Sequence, residues 1–88
     1  MEANKIKACI IKALEQRRPI KKIYKKNIDN FDFLASGHID SLELIKFNFF
    51  LEKKFKIKFN PKDFIKKELQ TISGLSKIIK KKILSKSK

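Results

Sequence analysis

An all-α fold, a small bundle of four helices, follows from three features of this 88-residue chain. Apolar residues recur at helical spacing in three stretches: near the start, in the middle and near the end. Helix-start signals stand at the junctions, Asp40 with Glu43 three residues later and Asn60 followed by Pro61. The strand-like alternation of "KIKF", Lys56 to Phe59, lasts only four residues and reads as a connector. The expected architecture is three main helices and a short third one, with a long loop between the first and second.

The first helix runs from Ala3 to about Arg17, on the spacing of Ile6, Cys9, Ile10, Ala13 and Leu14. Pro19 disfavours helix at Arg18 and ends it. Residues 19–40 show no sustained period, and loops of that length are often functional. Ile20, Ile23, Tyr24, Ile28, Phe31, Phe33 and Leu34 are its expected anchors, and Ser36-Gly37 is a turn signal. The second helix runs from Ser41 to Phe55, with Asp40 as N-cap and Glu43 closing a capping-box pair. At about 100° per residue it carries two apolar stripes. Leu44, Phe47, Leu51 and Phe55 form one; Leu42, Ile45 and Phe49 form the other, among Lys46, Glu52 and Lys53. A helix packed on one side needs one stripe, so either both are buried or, with little of the chain left to cover it, the second faces a partner, which is the expectation here. The connector drops Ile57 and Phe59 into the core. Asn60-Pro61 then starts a short third helix to about Glu68, with Asp63 in its first turn. The last helix starts near Thr71 or Ser73 and carries Ile72, Leu75, Ile78, Ile79 and Ile83. Residues 85–88 are expected to be a frayed basic tail, closing a single domain over 1–88.

Composition limits the function classes. Apolar content of 42% suffices for a folded globule and excludes wholesale disorder. A single cysteine, Cys9, allows no internal disulfide; it is expected to pack as a small buried hydrophobe in a reducing compartment. No apolar run approaches the roughly 20 residues that span a bilayer, and Lys7 and Lys12 interrupt the N-terminal stretch, so a cytoplasmic location is expected. A net charge of +14 makes nucleic acid or an anionic membrane the first partners to weigh. Yet residues 27–45 hold no Lys or Arg and do hold Asp29, Asp32, Asp40 and Glu43. A phosphate-binding face is not built that way, so nucleic acid is not expected at Ser41. The lysine-rich "KIIKKKILSKSK" leaves peripheral contact with an anionic membrane as a secondary expectation.

Little catalytic chemistry is available. One His and one Cys make no metal cluster, and two glycines make no phosphate cradle. His38 and Ser41 are three residues apart with no oxyanion turn in evidence, so no nucleophile pair is expected and His38 reads as a loop-surface residue. Ser41 itself has two readings. It is an ordinary first-turn residue behind its cap, with Leu42 stapled to the loop. Or its hydroxyl, presented at a helix N-terminus, bears a phosphodiester beside free backbone N–H groups. Local physics leaves both open.

"DSL" at Asp40-Ser41-Leu42, after Ser36-Gly37 and opening an apolar helix, resembles the acyl carrier proteins, a family that includes peptidyl and D-alanyl carriers. Leu51, Glu52 and Phe55 fall at the family's spacing after its serine. "FKIKFNP" and "TISGLSKII" resemble its connector and the opening of its last helix. The likeness covers about 31–83. It implies an acyl-carrier-like bundle that is no enzyme but bears covalent phosphopantetheine, from coenzyme A, on Ser41. Asp40 and Leu42 would be read by the phosphopantetheinyl transferase. The cargo would be an acyl or aminoacyl thioester, shuttled between loading and transferring enzymes of fatty acid or related biosynthesis by a monomeric carrier. Leu42, Glu43, Ile45, Lys46, Phe49, Glu52 and Lys53 would form the docking surface. The family's second helix is usually acidic; Lys46, Lys53 and Lys54 depart from that. Partners with basic patches would be repelled, which implies either a specialised carrier with partners that are acidic at the docking site or an unusually basic host proteome.

Overall fold

The computed structural model describes residues 2–64 and 66–86. Three 15-residue helices frame it: α1 (Ala3–Arg17), α3 (Ser41–Phe55) and α5 (Ile72–Lys86). Between them lie two single-turn helices, α2 (Lys22–Lys25) and α4 (Pro61–Phe64), and two 3-10 turns at Ile28–Asn30 and Lys67–Gln70. Among the described residues there is no strand, only an isolated antiparallel bridge between Asp32 and Thr71. No helix among the described residues is long and apolar enough to cross a membrane.

The expected boundaries of the long helices hold. Arg18 is extended before Pro19, as the proline demands, and α1 stops at Arg17. The last helix begins at Ile72. Thr71 caps it: its Oγ1 accepts the Gly74 N–H at 3.1 Å. Three expectations need correction. Residues 19–40 are not loop throughout, since α2 and a 3-10 turn are folded within them. The short third helix does not reach Glu68; α4 ends at Phe64, and a separate 3-10 turn follows after an extended Lys66. That turn docks its backbone against the first turn of α5, a tertiary contact that overrides local helix continuation. Ser85 is helical rather than frayed; Ser87 and Lys88 lie outside the described residues.

Ile6, Ile10 and Leu14 of α1, Phe47, Leu51 and Phe55 of α3, and Ile72, Leu75 and Ile79 of α5 meet in one core. The periodicity that predicts each helix is thus the periodicity of its buried stripe. Cys9 packs against this core only partly buried. The long connection is pinned to the core by Ile20, Phe31, Phe33 and Ile39, whereas Ile23, expected as an anchor, is 74% exposed. Phe33 meets Phe47 edge-on, with ring centres 5.7 Å apart. The Phe33 N–H donates to Gln70 O at 3.0 Å, tying the loop to the turn before α5. Ile57 and Phe59 of the connector are buried, as their alternation predicts.

Candidate functional site

Chain direction changes sharply before α3, and each step has a residue-level cause. Asp32 Oδ1 accepts the N–H groups of Leu34 and Ala35, closing a turn. Gly37 sits at φ +80°, in the left-handed region that favours glycine. Ile39 then returns to donate its N–H to Phe33 O at 3.0 Å. Asp40 is extended, and its carboxylate accepts the Glu43 N–H at 2.7 Å while Glu43 Oε1 accepts the Asp40 N–H at 3.0 Å. This is the reciprocal capping box its sequence predicts.

Two contacts that sequence reasoning missed hold this corner to α1. Arg17 Nη1 lies 2.6 Å from Glu43 Oε2, so one glutamate serves both the cap and an ion pair. His38 is buried, contrary to the expectation of a loop-surface residue. Its Nε2 lies 3.0 Å from Leu14 O, and its ring meets Phe31 edge-on at 5.6 Å. A carbonyl only accepts, so Nε2 carries the proton. Neither contact has a local signal, because each partner is more than twenty residues away. The sequence's acidic island is also partly neutralised in space: Lys7 pairs with Asp29 at 3.2 Å, and Arg17 with Glu43.

Ser41 is the first residue of α3 and is exposed. In a helix's first turn the early N–H groups have no intrahelical acceptor. Asp40 Oδ1 is engaged by the Glu43 N–H. Leu42 is 63% exposed and staples nothing. Ile45 and Phe49 continue its stripe at 48% and 60% exposure, which rules out burial of both stripes within this chain. Phe50, on another flank and absent from the sequence-derived surface, is also exposed.

The other expected docking residues divide. Lys46 and Lys53 are exposed and make no ion pair among the described residues. Glu43 and Glu52 are both engaged internally, Glu43 as above and Glu52 through Oε2, which accepts the Phe59 N–H at 2.8 Å. The exposed face of α3 is therefore apolar and cationic. Among the described residues no cluster of His, Cys, Asp or Glu could hold a metal ion. No family model, no curated protein and no solved structure matches the chain.

Proposed function

We propose that the chain is a carrier protein of the acyl-carrier type, with Ser41 as the attachment point for phosphopantetheine. The observation that carries this reading is an exposed hydroxyl on the first residue of a capped helix, with an exposed apolar stripe beginning at the very next side chain. The residues present fit such a group. Ser41 Oγ is open to a modifying enzyme, the neighbouring carboxylate is occupied by its capping bond, and the positive end of α3 favours a phosphodiester there. When bound, the arm supplies a thiol that holds an acyl or aminoacyl cargo as a thioester. The protein's own work is to hold Ser41 outward and to present Leu42, Ile45 and Phe49 to the enzymes that load and unload the cargo. The acyl-carrier-like helical bundle belongs to the same proposal. So does the preference for acidic partners, which rests on Lys46 and Lys53 beside that stripe.

Intact-mass measurement after incubation with coenzyme A and a broad-specificity phosphopantetheinyl transferase tests the reading. One added phosphopantetheine is expected on the native chain and none on Ser41→Ala. A native chain that stays at its unmodified mass with several competent transferases would overturn it. The net charge of +14 supports a second reading, a basic helical module for nucleic acid or an anionic membrane. Duplex binding with a steep salt dependence, unaffected by Ser41→Ala, would favour that one.

A further inference from the structure

A concave feature lies toward the opposite end of α3 from Ser41, about 20 Å along the helix axis. There the last turns of α3, the connector 56–60, the start of α4 and the second half of α5 border a cleft of about 960 Å³. Phe49, Ile57 and Ile78 give it an apolar lining. Lys53, Lys58, Lys66 and Lys81 also line it; all four are exposed, and none makes an ion pair among the described residues. The two carboxylates of the cleft are already engaged. Glu52 accepts the Phe59 N–H, and Asp63 Oδ2 accepts the Asn60 N–H at 2.7 Å and pairs with Lys82 at 2.8 Å. The acids in the walls are thus held by the fold, while Lys53, Lys58 and Lys81 are left to attract an anion.

Phe49 belongs both to this cleft and to the exposed Leu42–Ile45–Phe49 stripe, so the two form one surface. We propose that this surface binds an acidic amphipathic segment of a partner protein, with carboxylates paired to the cleft lysines and an apolar side chain seated against Phe49 and Ile57. Charge complementarity selects an anion. The apolar lining selects a protein segment over a phosphate backbone, which brings no apolar side chain to bury. A flat membrane cannot follow a concave cleft. The inference goes beyond the carrier reading, since nothing in it requires Ser41 to be modified.

The test measures fluorescence anisotropy of a labelled synthetic helical peptide of Glu and Leu, titrated with the full-length chain and with Ser41→Ala in parallel. Saturable binding is expected to both, weakening at least about tenfold between about 50 and 300 mM NaCl. Reversing Lys53, Lys58 and Lys81 to Glu should weaken it about tenfold or more, whereas reversing Lys12, Lys21 and Lys26, which makes the same change in net charge, should cost less than about threefold. Phe49→Ser, at an exposed position, reads the same surface without altering charge and should also weaken binding. Equal losses from the two lysine triples would reduce the effect to overall charge and overturn the proposal. So would absence of peptide binding, or cleft-dependent binding of duplex DNA or phosphatidylserine vesicles that exceeds that of the peptide. Because Ser41→Ala is tested alongside, failure here is distinct from failure of the carrier reading.

Discussion

Gly74 stands where a methyl group would strike a backbone carbonyl: an added Cβ would lie 2.1 Å from Glu68 O. Backbone cannot swing aside as a side chain can, so Gly74→Ala should cost about 3 kcal/mol in urea unfolding despite alanine's better helix propensity. Asp63 offers a pH prediction. Burial pushes its carboxyl up, but the hydrogen bond from Lys82, the Asn60 N–H and the charges of Lys82 and Lys66 outweigh it, holding the pKa below the ordinary 3.8. A carboxyl that titrates lower when folded adds stability that is in place above the unfolded value and lost as pH falls through the folded one. The native chain should therefore lose stability below about pH 4, and Asp63→Asn should be about 2 kcal/mol weaker at pH 7 with a shallower acid limb. These residues show where sequence reading stops. Asp63 was legible as a first-turn acid, because Asn60-Pro61 announces the helix; its pairing with Lys82, on another helix, was not. Nothing local to Gly74 signals its role, since the carbonyl it admits belongs to a turn placed by tertiary packing.

At the scale of the helix, α3 was the most legible part of the chain. Its cap, its length and its two stripes are all local patterns, and the box at Asp40 and Glu43 forms as written. One residue of its buried arc breaks that pattern. Asn48 is 2% exposed, and neither its Nδ2 nor its Oδ1 has a hydrogen-bond partner among the described residues. Desolvating an amide without a partner is unfavourable, so Asn48→Leu should raise stability by about 1 kcal/mol in thermal or urea unfolding. The outward face of α3 is where the proposed docking is tested. Reversing Lys46 and Lys53 to Glu should not lower the unfolding midpoint, because both are exposed, neither makes an ion pair among the described residues, and the change relieves like-charge repulsion. It should slow association with an acidic partner about tenfold at low salt and flatten the salt dependence, as read by stopped-flow mixing. No change in rate would remove the case for electrostatic docking.

For the whole molecule, the charge of +14 matters more than any one of its ion pairs. The Arg17–Glu43 and Lys25–Glu15 pairs are partly exposed and contribute at most about 1 kcal/mol each. Like-charge repulsion spread over the surface works against the compact state, so the melting temperature should rise, not fall, as NaCl is increased from about 20 to 300 mM. The three-helix frame was legible because each helix writes its buried stripe into the sequence; the way α1 grips the corner before α3 was not, because a histidine in a polar loop gives no sign of a carbonyl twenty-four residues earlier. That grip has a further consequence. Leu14 O receives both the Arg18 N–H that finishes α1 and the His38 ring that fixes the approach to Ser41. Fraying of one therefore loosens the other, and whatever clasps the Ser41 corner should slow deuterium uptake at the amide of Arg18, on a segment it never touches.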